Sequence, residues 1–143
     1  MIATAIDASS LADLATELEA AGLVVSDLAD PDRRFFRFED AAGVVGYGGV
    51  EGLGADRLVR SLVVTANRRG QGLGAAMLAA IERAAADDGA ASLYMLTTTA
   101  EPFFRGRGYE TARRDDAPAA IASSAEFRTL CPASATFLCK RIA

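Results

Sequence analysis

The order of apolar and polar residues predicts strands in the first part of the chain. Residues 33–39 alternate between two faces, and residues 44–51 and 56–64 are further strand-like runs bounded by glycine-containing turns. Strands joined by such short turns pair antiparallel, so we expect a three-stranded meander. The apolar residues 1–6 predict one more strand, at the edge of the sheet.

Helical spacing precedes and follows this meander. Residues 11–18 are apolar at i, i+3, i+4 and i+7, with Ser9 or Ser10 as the expected N-cap and Gly22 beyond the last turn. Residues 72–86 repeat the helical spacing directly after the last strand of the meander. We therefore expect one helix on each side of the three strands.

The second half of the chain predicts a parallel crossover. Residues 91–98 are apolar enough for a central strand, and strand, helix and strand in this order imply a right-handed crossover. The remaining predicted elements are a helix at residues 101–107, a strand after Gly108, a helix and loop at residues 118–130 and a strand at residues 135–142. The prediction is a single domain over residues 1–143, with a mixed α/β sheet.

The join between the meander and the second helix is rich in glycine and arginine. The apolar residues 62–64 give way to a polar segment, and residues 69–74 then open the helix. Glycine lets a backbone approach a ligand closely, and the first N–H groups of a helix attract anions. We therefore expect a phosphate-bearing ligand. The loop fits neither a Walker A motif nor the G-x-G-x-x-G of a dinucleotide site.

The composition of the chain argues against several classes of function. The chain has 143 residues, of which 51% are hydrophobic, which suits one domain with one core. The net charge of −4 argues against a nucleic-acid partner. The absence of histidine excludes Ser-His-Asp and Cys-His catalysis and most zinc sites, and we expect no bound metal. We find neither a signal peptide nor an apolar run of about 20 residues, so we expect a cytoplasmic protein without a membrane segment.

Two segments resemble the GNAT superfamily, the acetyl-CoA-dependent N-acetyltransferases. Arg69-x-x-Gly72-x-Gly74 resembles the pyrophosphate-binding signature of that family, and residues 100–109 resemble its A-x-x-F-Y-x-x-x-G-F segment, whose helix packs against the CoA arm. The resemblance extends over about residues 57–142. It implies a GNAT-like fold, in which the strands beside the crossover helix separate and the pantetheine arm of CoA enters the gap.

The resemblance also implies which residues contact acetyl-CoA. They are Leu62, Val63, Val64, Arg68, Arg69, Gly70, Gln71, Gly72, Leu73, Gly74, Thr97, Phe103, Phe104 and Arg107. The partner expected beside this cosubstrate is a small-molecule amine. The oligomeric state is left open, with a homodimer as one option.

The usual general acid of the family is missing. Phe104 stands where the family often has a tyrosine that protonates the leaving thiolate, and Thr97 stands where it often has an asparagine. Thr97 is a candidate catalytic hydroxyl, and Tyr94 or Tyr109 could replace the acid only if the fold aimed it at the sulfur. For all three, packing is the more ordinary role.

The usual general base is missing as well. Residues 57–64 contain no carboxylate, whereas some family members carry a glutamate there. The remaining candidates for the base are Glu51, Glu101, Glu110 and solvent. The resemblance implies direct attack of a neutral amine on the thioester, with the backbone N–H near Val63 or Val64 stabilising the developing oxyanion.

Two charged residues are candidates for binding the acceptor. Arg60 lies where acceptors of the family usually bind, and an inward side chain would favour an acceptor with a carboxylate; an exposed strand arginine is the equally ordinary alternative. Asp27, in the acidic loop of residues 23–32, is a candidate to receive an amine. A solvated acidic loop is the more common role of such a segment.

The C-terminal third resembles the GNAT branch associated with arsenic-resistance operons, on residues 95–104, 117–121, 126–127 and 130–135. This implies an arsenic-containing amino acid or a related toxic amine as acceptor. Cys131 and Cys139 are then either soft ligands for trivalent arsenic or small core residues. The function predicted is an acetyl-CoA-dependent N-acetyltransferase. The alternative is a non-catalytic acyl-CoA or metalloid-binding module with the same fold.

Overall fold

One mixed sheet forms the centre of the protein. A computed structural model describes residues 1–130 and 133–142, and the strands within them form a seven-stranded sheet in the order β1-β2-β3-β4-β5-β7-β6. The strands are β1 (Ile2–Ala5), β2 (Arg33–Asp40), β3 (Gly43–Glu51), β4 (Asp56–Val64), β5 (Ser92–Thr97), β6 (Glu110–Thr111) and β7 (Thr136–Arg141). The α-helices are α1 (Leu11–Ala20), α2 (Leu73–Asp87), α3 (Glu101–Arg105) and α4 (Ala119–Ala122), and a π-helical turn spans Glu126–Leu130.

The strand order confirms the predicted fold class. β1 to β4 pair antiparallel in sequence order, with β1 at the edge, and β4 pairs parallel with β5 across α2. β7 lies antiparallel between β5 and β6. The meander and the β-α-β crossover are therefore both present. No helix in the described residues is long and apolar enough to cross a membrane.

Some boundaries differ from the prediction. The side chain that caps the start of the first helical segment is Asp7, whose Oδ1 accepts a hydrogen bond from the N–H of Ser9 at 3.0 Å, and neither Ser9 nor Ser10 has this role. The reason is a 3-10 turn at Ala8–Ser10, which moves the capped N–H groups one turn earlier. Gly22 follows the helix with φ of +73°, as expected for a C-terminal glycine.

Glycines in β3 allow the neighbouring elements to pack closely. A Cβ atom at Gly46 would overlap the carbonyl oxygen of Val63 on β4, and one at Gly48 would lie 2.6 Å from Cδ1 of Ile81 on α2. The backbone of β4 therefore lies close to Gly46. The face of α2 that covers the sheet buries Met77, Leu78, Ile81 and Ala85.

Candidate active site

The parallel strands β4 and β5 separate along their length. In the described part of the chain, their pairing ends at Leu58 opposite Tyr94. β4 nevertheless continues to Val64 and β5 to Thr97, where β5 is still paired with β7. A gap therefore opens between the C-terminal ends of the two strands, as the family resemblance implies.

A bulge in β4 accompanies the separation. Ser61 has φ of +60°, a left-handed conformation that is uncommon outside glycine. The register between β3 and β4 shifts at this place, so that Ser61 and Leu62 together lie opposite Gly48. Two residues opposite one is the arrangement of a β-bulge, which bends a strand and changes the direction of its side chains. The bulge lies beside the gap.

Two adjoining cavities of about 310 Å³ and about 320 Å³ occupy the gap. The first extends to Gly74 on α2 and Phe103 on α3. The second extends to Gly22 and Val24 in the segment after α1. Residues that line both are Leu23, Arg60, Ser61, Leu96, Thr97, Thr99 and Glu126. The two cavities thus form one continuous groove.

The first cavity reaches the N-terminal end of α2. Gly70 and Gly72 have φ of +79° and +74°, and Gly72 is the N-cap of α2 without a capping side chain. The first N–H groups of the helix are therefore left for an external acceptor, and the helix dipole favours an anion. A Cβ atom at Gly74 would lie 3.5 Å from Phe103 and 3.6 Å from Val64. The predicted anion loop and the cavity are therefore contiguous.

Apart from Arg107, the predicted cofactor residues fall into two groups. Those that line the first cavity are Leu62, Val63, Val64, Gly74, Thr97, Phe103 and Phe104. Those in the loop and on the first turn of α2 are Arg68, Arg69, Gly70, Gln71, Gly72 and Leu73. Arg68 forms an ion pair with Asp40, and Arg69 donates from Nε to the carbonyl of Val64 at 3.1 Å. Arg107 lies over the ring of Phe103, 5.0 Å from its centroid.

Arg60 and Asp27, predicted from separate segments, lie in contact. Their exposed fractions are 3% and 4%, and Arg60 donates from Nη1 and Nη2 to the two carboxylate oxygens of Asp27, both at 2.6 Å. Arg60 also contacts Glu51 at 3.0 Å and Glu126 at 3.1 Å. Arg33 contacts Asp27 at 3.0 Å. Arg60 is therefore buried and paired, so the exposed alternative for its side chain is excluded.

For both Asp27 and Arg60, the combined effect of ion pairing on the pKa is larger than the effect of burial. Burial by itself would raise the pKa of Asp27, but the hydrogen bonds from Arg60 and Arg33 bring this pKa below its ordinary value. Burial would likewise lower the pKa of Arg60, and the hydrogen bond to Asp27 with the charge of Glu126 raises it instead. Both side chains are therefore charged at neutral pH, and Asp27 is held in an ion pair instead of a solvated loop.

Sequence reasoning did not single out Glu126 as a site residue. Its side chain comes from the π-helical turn, lines both cavities and is 7% exposed. It lies 66 positions after Arg60, outside the two GNAT signature segments at residues 69–74 and 100–109, so only the fold brings the two together. Glu51, the candidate base, instead contacts Arg60 and lies 3.6 Å from Arg33.

Thr97 lines both cavities and also caps a turn. Its Oγ1 accepts hydrogen bonds from the N–H of Ala100 at 3.0 Å and from that of Thr99 at 3.4 Å. These bonds fix the backbone just before α3, which carries Phe103. The hydroxyl therefore has a structural role whether or not it also acts in catalysis.

The tyrosines considered as substitute acids pack elsewhere. Tyr109 is buried and donates its hydroxyl to Oε2 of Glu82 at 2.9 Å, and burial followed by the charge of Glu82 raises its pKa. Tyr94 stacks on Phe137 with centroids 5.6 Å apart. Neither tyrosine is among the described residues that line the two cavities of the groove. Both therefore have the packing role that was the more ordinary expectation.

The cysteines give no support for a metalloid site. Cys131 lies outside the described residues. Cys139 lies on β7, half-buried, and burial raises the pKa of its thiol. Among the described residues, no group of three or more His, Cys, Asp and Glu side chains is arranged to hold a metal ion.

Comparison with protein families identifies the fold. The model of the acetyltransferase (GNAT) domain matches residues 31–111, which is more than half of the chain. The chain belongs to the GNAT acetyltransferase family. The matched region extends from the loop before β2 to β6 and includes α2 with its glycine loop. Membership of this GNAT family supports an acetyltransferase activity and disfavours the non-catalytic alternative.

Solved structures share the GNAT fold. One is N-acetylglutamate synthase from Neisseria gonorrhoeae, complexed with coenzyme A and N-acetyl-glutamate. It is 18% identical to this chain with a TM-score of 0.74, and the alignment covers 100% of this chain and 36% of the synthase chain. Rv2747 from Mycobacterium tuberculosis, in complex with CoA, is 17% identical with a TM-score of 0.77 and 99% coverage of both chains.

An aminoglycoside 6'-N-acetyltransferase complexed with coenzyme A is 17% identical with a TM-score of 0.72, covering 100% of this chain and 98% of its own. The GNAT chain thus spans about a third of the synthase and nearly all of the other two. Identities this low show a common fold only. Comparison with curated proteins finds no match.

Proposed function

We propose that this GNAT protein transfers the acetyl group of acetyl-CoA to the nitrogen of a small amine in the gap between β4 and β5. The observation that carries the proposal is the groove itself. It opens where the pairing of β4 and β5 ends at Leu58, and it runs from the N-terminal end of α2 to the buried Arg60 cluster. One end suits a pyrophosphate, and the other leaves room for an acceptor.

The proposed orientation of acetyl-CoA follows from these two ends. The pyrophosphate would bind the N–H groups at residues 70–74, with Arg69 nearby, because a helix start without a capping side chain attracts an anion. The pantetheine arm would lie along residues 62–64 of β4 and against Phe103 and Phe104. The thioester carbonyl would then accept a hydrogen bond from the β4 backbone near Val63 or Val64.

The reaction then needs positioning more than acid or base catalysis. The acceptor ammonium first loses a proton to solvent, and the neutral amine attacks the thioester carbonyl. A C–N bond forms, the C–S bond breaks, and the second amine proton ends on the departing sulfur to give free CoA. The proposed aids are the N–H of Val64 for the oxyanion and the Thr97 hydroxyl near the cavity, whereas Glu51 helps to hold Arg60 in place.

The domain organisation, the location and a link to arsenic resistance are proposals as well. We propose a single domain over residues 1–143, because β1 and β7, which lie outside the family match, complete the same sheet. We also propose a cytoplasmic location, as expected from the sequence. A link to arsenic resistance rests on the C-terminal resemblance alone.

The test is a titration followed by a turnover assay. Acetyl-CoA is titrated calorimetrically, and free CoA is then followed with a thiol reagent in the presence of a broad panel of primary amines. We expect saturable binding and amine-dependent release of CoA. Binding without release on any amine would support the non-catalytic alternative, and absence of binding would overturn the proposal.

A further inference from the structure

Two charged side chains face the groove in the described part of the chain. Arg60 and Glu126 line both cavities, and the other described lining residues are uncharged. Both residues are more than nine-tenths buried, and they present charge at one place in the groove. In a poorly solvated groove, the sign of this charge decides which acceptor is attracted.

The cluster behind these two residues carries more negative than positive charge. Its positive members are Arg33 and Arg60, and its negative members are Asp27, Glu51 and Glu126, with the exposed Asp30 3.9 Å from Arg33 at its edge. Asp27 and Glu51 each contact both arginines, and together they balance the two positive charges. Glu126 and Asp30 therefore leave an excess of negative charge. Of these carboxylates, Glu126 is the one that lines the groove.

Arg60 is poorly suited to bind an acceptor carboxylate. Nη1 donates to Asp27 and Glu51, Nη2 donates to Asp27, and Nε faces Glu126. A guanidinium has five N–H groups, so these contacts leave no pair of parallel donors for a second carboxylate. A carboxylate accepts up to about four hydrogen bonds, so contact with Arg60 is compatible with a further donor on Glu126.

We infer that the acceptor of this enzyme is an alkyl amine with a second, non-reacting ammonium group and no carboxylate, and that Glu126 binds this ammonium group. The apolar part of the acceptor would lie against Leu23 and Leu96, which line both cavities. This inference rests on the proposed function and reverses the sequence expectation that Arg60 selects an acceptor carboxylate. In this arrangement Arg60 is a positioning residue that holds Glu126 at the groove.

Glu126→Gln is the informative variant. It removes one negative charge from the groove and keeps the size of the side chain, and Asp27 and Glu51 still contact Arg33 and Arg60. The fold should therefore persist, which circular dichroism checks. Glu126→Asp keeps the charge on a shorter side chain. Asp87→Asn removes the same charge from an exposed residue at the end of α2 and is the matched control.

The measurement is calorimetric binding of three amines to the CoA-loaded protein. Cadaverine, pentylamine and aminocaproate have similar alkyl chains and end in an ammonium, a methyl and a carboxylate group. We expect affinity to fall in this order. Glu126→Gln should weaken cadaverine binding roughly tenfold, as expected for loss of a charge-assisted hydrogen bond, while Glu126→Asp and Asp87→Asn stay within about threefold of wild type.

The outcomes separate this inference from the proposed function. If acetyl-CoA and CoA themselves do not bind, the proposed function fails. If CoA binds but the protein prefers aminocaproate, binds no cadaverine, or shows the same preference after Glu126→Gln, the inference is overturned and the proposed function stands. Weaker cadaverine binding in both Glu126→Gln and Asp87→Asn would also overturn it, because the effect would then be one of net charge.

Discussion

Arg60 on β4 and Asp27 in the segment after α1 are joined by two hydrogen bonds of 2.6 Å across 33 positions of sequence. Asp27 belongs to a stretch without regular secondary structure, and the ion pair attaches this stretch to the sheet beside the groove. Leu23 and Val24 in the same stretch line the second cavity. The contact between the two residues therefore defines one wall of the proposed acceptor site.

Asp27→Asn should destabilise the protein. The change leaves the buried Arg60 without its bidentate partner, and breaking one side of a buried ion pair costs about 3 kcal/mol. Glu51 and Glu126 still face Arg60, so the loss should lie below the upper end of the measured range. Urea unfolding at neutral pH measures it. A free energy of unfolding equal to that of wild type would contradict the role of the pair.

The same residue should give stability a dependence on acid pH. The pKa of Asp27 is lower in the folded protein than its ordinary value, so the unfolded chain binds a proton first as the pH falls. The stabilisation is complete above about pH 4 and is lost as the pH falls through the lowered pKa. Urea unfolding between neutral pH and pH 3 should show a shallower loss for Asp27→Asn than for wild type. Parallel curves would contradict this.

Gly74→Val tests the cofactor end of the groove. The new side chain would extend between Phe103 and Val64 into the first cavity, where the Cβ atom itself has only ordinary contacts. Valine is also a better helix former than glycine, so α2 should be no less stable. We expect affinity for acetyl-CoA to fall at least tenfold, about 1.4 kcal/mol. Calorimetric titration measures it.

Gly54→Val is the matched control for this substitution. Gly54 lies in the turn between β3 and β4, and a Cβ atom there would meet nothing within 4 Å. The control should bind acetyl-CoA like wild type. Equal affinities for Gly74→Val and Gly54→Val would show that acetyl-CoA does not lie beside α2.

Thr97→Val should loosen the start of α3. Valine has nearly the same shape but cannot accept the hydrogen bonds from Ala100 and Thr99, and loss of such a cap costs about 1 kcal/mol. Because α3 carries Phe103 into the cavity, we expect the KM for acetyl-CoA to rise a few fold as well. Thr97→Ser keeps the acceptor and should retain both properties in thermal unfolding and kinetic assays. A serine variant as impaired as the valine variant would exclude this explanation.

Tyr109→Phe should change stability but not catalysis. The lost hydrogen bond to Glu82 should cost about 1 kcal/mol, because Glu82 keeps its contact with Lys140 at 3.0 Å. Tyr109 does not line the described part of the groove, so kcat/KM should stay within about twofold of wild type. A tenfold loss of kcat would instead identify Tyr109 as the general acid.

Local patterns predicted most of the elements. The alternation along β2 and the apolar spacing along α2 are properties of consecutive residues, and both elements formed within one or two residues of the expected bounds. The glycine loop before α2 was recognisable for the same reason, since its residues are adjacent in sequence. The cap at Asp7 was missed because a short 3-10 turn competes with the first turn of α1.

Local sequence patterns could not predict the acceptor end of the groove. Arg60, Asp27 and Glu126 come from a strand, a stretch without regular structure and a π-helical turn, and only tertiary packing brings them together. From the strand pattern alone, Arg60 is expected either to be exposed to solvent or to point inward and bind an acceptor carboxylate. Its actual state depends on three carboxylates, none of which is adjacent to it in sequence.

A crystal structure with bound acetyl-CoA would test the central claim most directly. The pyrophosphate should lie within about 3 Å of the backbone N–H groups at residues 70–74, and the pantetheine arm should lie in the gap between β4 and β5. The thioester carbonyl should face the backbone near Val63 or Val64. Acetyl-CoA bound elsewhere, with the gap empty, would contradict the proposed binding of acetyl-CoA between β4 and β5.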